Sequence, residues 1–404
     1  MSKTNIIIKF LKGEIPLWKS FWLVGYLYPS IFNENKSIYQ FTYPEKDLKG
    51  SIIPPEEYIQ HLDLYITDMG EYQKEIYDKY KSLMQKSDKK QIGYTDIEPG
   101  VQLLTMTYPS LDKDPSIVKC YGSKGLDSVM TYTNTILEKK TKNEKKDFAY
   151  KPEIEKQFGR IFSLQEIGKY SKKLYELGVS IKESKGIIMI YSRYIDGGVI
   201  PIALMLEEMG MIRYGNTAPL FKERPVEGLD ALTMKPKSEV GDAYHQATYT
   251  MITGDIALSH ENIQETKALT DEANKNGKNV KVVIVTMAGS EGIDLKCIRQ
   301  THIIDSWYNI FRIEQLIGRS VRTCSHKLLP FRERNVQIYL YATIIPGEEE
   351  TSDLNLYRRS HKKMMQIGKV SRVIKEHAID CQLNHNQTNF TEDKLNQVIQ
   401  LELS

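Results

Sequence analysis

Residues 280–322 read VKVVIVTMAGSEGIDLKCIRQTHIIDSWYNIFRIEQLIGRSVR, and the fold class is decided there. Val280 to Val285 is an apolar, β-branched run of the kind that fills a buried strand. It ends in Thr286 and a Gly/Ser/Glu/Gly loop. A second β-type run, Thr301 to Ile304, and a helical pattern, Ile310 to Val321, follow. Strand, glycine loop, strand and polar helix is the order in which α/β proteins set backbone amides and arginines beside a phosphate chain.

The helix closes on Gln315-Leu316-Ile317-Gly318-Arg319-Ser320-Val321-Arg322, with its two arginines three residues apart and so on one face. Two planar guanidiniums on one face can embrace a γ-phosphate as charge builds during phosphoryl transfer. An amphipathic surface helix would also carry paired arginines. The glycine loop just upstream favours the phosphate reading.

Outward from this core the chain alternates. Gly186 to Ser192 reads as a buried strand, Ile200 to Met209 as an apolar helix, Tyr249 to Ile252 as a strand and Glu261 to Asn274 as a helix; Val336 to Ala342 supplies a closing strand. Such alternation predicts a parallel sheet with crossover helices, and ligand-binding residues at the strands' carboxyl ends. Ser192, Thr253 and Thr286 all stand there. Residues 213–247 are rich in Pro, Gly and Lys and read as a long surface loop.

Residues 1–150 are less legible. An aromatic cluster (Trp18, Phe21, Trp22, Tyr26, Tyr28, Phe32) reads as local core rather than a base-stacking platform. Tyr58 to Thr67 alternates like a strand, and Glu71 to Met84 has helical spacing. Lys139 to Lys151 reads as a solvated linker, followed by a helical pattern from Ser163 to Leu177. The tail is helical from Leu354 to Ala378, and residues 387–404 look amphipathic or frayed. His377, Cys381 and His385 fall at helical spacing. Three such ligands without a fourth are a weak metal case, and a packed helix face is the preferred reading, so no metal site is expected.

Composition is that of an ordinary globular chain: 404 residues, 41% hydrophobic, 26% charged, net charge +3. The charge alone does not specify a nucleic-acid partner. Four scattered cysteines make neither a disulfide framework nor a zinc ribbon. No apolar run approaches the ~20 residues of a membrane span, and a membrane partner is not expected.

TMAGSEGID (Thr286 to Asp294) and QLIGRSVR (Gln315 to Arg322) resemble motifs V and VI of the second RecA-like domain of superfamily 2 helicases. GSEGIDLK, QLIGRSVRTCSH, VQIYLYAT and KEHAIDCQLN resemble the poxvirus-like helicases of nucleocytoplasmic large DNA viruses, which are linked to viral transcription. The resemblance implies an α/β, RecA-like parallel sheet with helices on both faces at 185–345. A mixed α/β or helical inter-lobe insertion would precede it at 1–150, with a helical linker at 151–184 and a helical extension at 346–404. Tyr72-Gln73, Tyr77 and Tyr108-Pro109-Ser110 match the outline of the inter-lobe segment.

The same resemblance assigns roles. Arg319 and Arg322 become arginine fingers, while Gly292, Asp294 and Gln315 bind nucleotide. Ser192, Arg193, Thr253 and Thr286 contact the nucleic-acid backbone. Glu291, where DEAD-box relatives have arginine, points to the viral branch. The implied cofactor is ATP with Mg2+. The implied partners are nucleic acid (DNA favoured over RNA), a first RecA-like lobe, and viral RNA polymerase or transcription-factor subunits; the implied location is host cytoplasm or virion.

A phosphate-binding G-x-x-x-x-G-K-[ST] is missing: Gly168-Lys169, Gly277-Lys278 and Gly368-Lys369 each lack the hydroxyl that should follow. Asp271-Glu272-Ala273-Asn274 imitates a DEAD-type box without a buried strand before it. The chain is therefore expected to hydrolyse little ATP without a first lobe. Two readings stay open, an arginine-finger lobe completed elsewhere and a catalytically inactive nucleic-acid-binding or transcription-complex scaffold.

Overall fold

The computed structural model describes residues 42–59, 62–87, 92–138, 143–215, 219–222, 225–255, 258–259, 262–287 and 293–379. The aromatic cluster at 18–32, Gly292, Glu291, Cys381, His385 and residues 387–404 lie outside them.

In chain order the strands are β1 (Tyr65–Thr67), β2 (Met130–Glu138), β3 (Asn143–Tyr150), β4 (Ile187–Tyr191), β5 (Ile212–Arg213), β6 (Thr248–Ile252), β7 (Val282–Val285), β8 (Ile298–Ile303) and β9 (Gln337–Thr343). The helices are α1 (Glu71–Lys86), α2 (Tyr94–Thr105), α3 (Gly122–Val129), α4 (Pro152–Phe158), α5 (Lys172–Lys182), α6 (Ile200–Glu208), α7 (Lys237–Val240), α8 (Asn262–Thr270), α9 (Ile310–Ser320) and α10 (Ser352–Glu376). Seven strands form one sheet in the order β1-β9-β8-β4-β7-β6-β5, and every pairing in it is parallel. This is the α/β, RecA-like architecture that the alternation and the motifs led one to expect.

The central strand β4 is buried along its whole length, so its side chains build two cores by period-two alternation. Ile188 and Ile190 join Leu174 and Leu177 of α5 and Leu204 of α6 on one face. Ile187, Met189 and Tyr191 join Ile313 and Leu316 of α9 and Leu354 and Tyr357 of α10 on the other. Each such side chain contributes about 1.5–3 kcal/mol by leaving water.

Three details differ from expectation. The strand foreseen at 58–67 shortens to β1, which adds to the far edge of the sheet by pairing with β9. The early part of the chain is thus knitted into the lobe: Tyr77 of α1 hydrogen-bonds Ser352 at 3.0 Å. The lysine-rich stretch at 139–151 is not a linker, since β2 and β3 pair there as an antiparallel hairpin. Lysine content argued for solvation, but a hairpin can solvate one face and still pair its backbone. The loop at 213–247 is anchored, with Leu220, Phe221, Leu229 and Met234 buried and Phe148 of β3 bridged to Phe221.

One histidine is wholly interior. His302 of β8 lies between Tyr341, whose hydroxyl is 3.0 Å from Nδ1, and Gln300, whose Oε1 is 3.2 Å from Nε2. Burial pushes its imidazole down to about 3, so the folded chain keeps it neutral while an unfolded one takes up a proton below about pH 6.5. Stability supplied by this group is present above about pH 6.5 and is lost as pH falls toward 3. Urea unfolding of wild type and His302→Gln between pH 6 and pH 4.5 should show wild type losing about 1.4 kcal/mol per pH unit relative to the variant.

Candidate functional site: an arginine helix and a buried carboxylate hub

α9 is built to show one face. Asn309 caps it, its Oδ1 accepting from the Phe311 N–H at 3.2 Å, as N-cap asparagines do. Ile310, Ile313, Leu316 and Ser320 turn inward, and the Ser320 hydroxyl accepts from Thr301 of β8 at 2.7 Å. Gln315 and Arg319, four residues apart, are left on another face, with Gln315 exposed and Arg319 half-buried. Arg319 in the last turn also complements the helix dipole.

Just past α9, the Arg322 guanidinium donates to Asp294 Oδ1 at 2.8 Å. This unites two residues assigned separately from sequence, an arginine finger and a ribose acceptor. The segment after Arg322 is pinned rather than free: Cys297 N donates to the Ser325 carbonyl at 3.1 Å, and His326 Nε2 lies 2.6 Å from the Ile298 carbonyl oxygen. His326 is therefore structural, and burial pushes its imidazole below the ordinary range.

The four predicted backbone-contact residues form a second group. Ser192, Thr253 and Thr286 directly follow β4, β6 and β7 at the sheet's carboxyl edge. All three are buried. Thr253 Oγ1 accepts from the Asp255 N–H at 3.2 Å. The Ser192 hydroxyl is committed inward, donating to Asp305 Oδ2 at 2.7 Å, and Gly198 must be glycine because a Cβ there would collide with that hydroxyl.

Asp305 is the residue that sequence reading missed. Its carboxylate accepts from Ser192 Oγ, from the Arg193 N–H at 2.7 Å and from Thr105 Oγ1 at 2.8 Å. Burial pushes its carboxyl up; the Arg193 and Ser192 hydrogen bonds, the Lys173 charge and the Thr105 hydrogen bond oppose the shift. Lys173, also fully buried, pairs with Asp353 at 2.6 Å and donates to the Ile304 carbonyl at 3.1 Å. Asp353 in turn accepts from Ser306 at 2.9 Å and from the Thr343 N–H at 3.0 Å. The available signal was Asp305 two residues past the end of β8, a position where a carboxylate meets incoming backbone amides.

The hub presents Arg193 at the surface. Its guanidinium pairs with Glu98 of α2 at 3.0 Å and lies over the Trp307, Tyr94 and Tyr194 rings at 4.3, 4.7 and 4.9 Å. Among the described residues no group of His, Cys, Asp and Glu could hold a metal ion. His377 is exposed at the end of α10 rather than on a packed face.

Residues 238–324 match the family model of the helicase conserved C-terminal domain. The chain carries a helicase C-terminal domain. The matched segment holds β6, β7, β8, α9 and both arginines. The chain is distantly homologous to helicases of large DNA viruses. It is similar to a termination factor NPH-I homolog of African swine fever virus, 30% identical over 240 residues, 53% of this chain and 33% of that protein. It is also similar to a mimivirus protein named as a candidate ATP-dependent RNA helicase (Acanthamoeba polyphaga mimivirus), 25% identical over 330 residues, 71% of this chain and 28% of that one. A candidate helicase of Invertebrate iridescent virus 3 is 24% identical over 343 residues, 83% of this chain and 30% of that one. The chain thus spans about a third of the length of the curated relatives it matches. Among solved structures the C-terminal part of the Fun30 ATPase domain is similar at 13% identity and a TM-score of 0.39 over 74% of this chain and 88% of that one, too slight a likeness to argue from. No helix among the described residues is long and apolar enough to cross a membrane.

The two carboxylates should behave oppositely in chemical unfolding. Asp294→Asn removes an exposed pair and should change stability by less than about 1 kcal/mol. Asp305→Ala removes the shared acceptor of three donors and should cost about 1–3 kcal/mol.

Proposed function

We propose that this chain is the second lobe of a superfamily 2 nucleic-acid-dependent ATPase of the kind used in viral transcription. The observation that carries the reading is the pairing of Arg322 with Asp294 beside Arg319 and Gln315, inside the segment that matches the helicase family. In this reading Arg319 and Arg322 reach the γ-phosphate of ATP-Mg2+ held by a first lobe. Asp294 exchanges its arginine for the nucleotide ribose, Gly292 is a further nucleotide-binding residue, and Gln315 links the nucleotide to the nucleic-acid side. Among the described residues of this lobe none are grouped to hold a metal ion.

The carboxyl-edge group takes the other ligand. Arg193, Thr253 and Thr286, with Ser192 fixing the backbone, contact the phosphates of a DNA strand, and closure of the two lobes grips it. The separation of the two groups on one rigid sheet supports this division of labour, because a strand and a nucleotide must be held at once. In this reading the segment joining the lobes lies within residues 1–150 and the lobe is centred on 185–345, with β1, α5 and the start of α10 built into its sheet and cores. Viral polymerase or transcription-factor subunits are the proposed protein partners, in host cytoplasm or virion.

The test is ATP hydrolysis with and without DNA, for this chain alone and mixed with a first lobe from the same source. Hydrolysis should appear in the mixture, rise with DNA, and fall by about 10³-fold or more in Arg322→Ala, the scale of an arginine finger. Full activity from this chain alone would overturn the reading. DNA binding with no hydrolysis in any mixture would establish the scaffold instead.

A further inference from the structure

Two arginines that the proposed function turns toward ligands are held by carboxylates in this structure. Arg322 pairs with Asp294 at 2.8 Å, and Arg193 pairs with Glu98 at 3.0 Å. The first pair joins two residues of the segment that matches the helicase family. The second does not: Glu98 stands on α2, 95 residues ahead of Arg193.

Glu98 is not what places Arg193. The Arg193 N–H donates to Asp305 Oδ2 at 2.7 Å, and the Trp307, Tyr94 and Tyr194 rings hold the guanidinium at 4.3, 4.7 and 4.9 Å, all within reach of a cation–π attraction. The ion pair is a single hydrogen bond from Nη2 to Glu98 Oε1, while the buried Nη1 has no hydrogen-bond partner. A one-point pair lacks the second bond that makes forked arginine–carboxylate pairs strong. The Glu98 side chain is 31% exposed, so its carboxylate can return to water at little cost. Its helix is held by other contacts: Ile97 and Val101 pack with Leu356 of α10, and Leu103 and Leu104 with Tyr77 and Tyr80 of α1.

We propose that Glu98 is a built-in competitor for the nucleic-acid phosphate at Arg193, so that a strand engages this arginine only by displacing it. The inference rests on the proposed function, in which Arg193 contacts the nucleic-acid backbone. Carboxylate and phosphate are both anions that seek the same guanidinium donors. The displacement costs the same for any anion. A strand that also meets Thr253 and Thr286 overcomes that cost more readily than a lone anion does, so the competitor favours a continuous backbone.

Fluorescence anisotropy with a labelled DNA, on the full chain at one low salt concentration, tests this in wild type, Glu98→Gln, Arg193→Met and the double variant. Gln keeps the shape of Glu98, and Met keeps an apolar stem among the rings. Glu98→Gln should tighten binding about threefold, the scale of a half-exposed ion pair, and should leave it unchanged in the Arg193→Met background. Both members of each comparison share residue 193, so a loss of stability from Arg193→Met cancels. No tightening in the first background would overturn the proposal. Equal tightening in both would overturn it too, by showing that an acid near the DNA repels it without competing for Arg193. The underlying reading is checked by a separate readout: Arg193→Met alone should weaken binding and lower its salt slope by about one. Unchanged affinity and slope would remove Arg193 from the nucleic-acid site, and the competitor with it.

Discussion

Two buried carboxylates and one buried ammonium hold this lobe together. Asp305 and Asp353 have no access to water, and Lys173 bridges α5 to the N-terminal turn of α10 and to the chain leaving β8. Removing charges from water costs several kcal/mol each, and only complete hydrogen bonding offsets it. Here it is nearly complete: hydroxyls from α2, the β4 edge and the β8 edge converge on the two acids, together with two backbone amides. Apolar packing alone would let these elements slide. The directional bonds fix where β4 ends and where α10 begins.

That fixation bears on function because the chain turns outward where the hub ends. Arg193 leaves Asp305 through its backbone and emerges among three aromatic rings, so its guanidinium has one direction to face. α9 starts a few residues beyond Asp305 and carries Arg319 in its last turn, and Arg322, just past its end, meets Asp294. One helix thus separates the carboxyl edge that holds Ser192, Thr253 and Thr286 from the end that holds Arg319.

The parallel sheet was legible because β4, β6 and β7 are short, β-branched and buried on both faces, and because glycines and caps punctuate the helices. α9 was found to within a residue, as its apolar positions recur at a clean helical period. The hairpin of β2 and β3 was not legible: β3 lies in a lysine-rich stretch, and composition outweighed pairing. Of the candidate site, the helix itself was readable from spacing, but Arg322, expected on one helical face with Arg319, lies past the end of α9. The Asp305 hub was not, since its members are separated by up to 248 residues (Thr105 to Asp353) and no local pattern joins Thr105, Lys173 and Asp353. Ser192 was found at the right strand end, yet its hydroxyl faces the protein, a direction that sequence position does not encode.

The parallel pairing of β1 with β9 brings Tyr65 against Tyr341. An antiparallel edge could be closed by a local turn, but this one must wait for a partner synthesised 276 residues later. α1 can pack against α2 as soon as Leu103 and Leu104 are made, but β1 has no strand to pair with until β9 arrives. The lobe therefore closes this edge of its sheet only after β9 has been made.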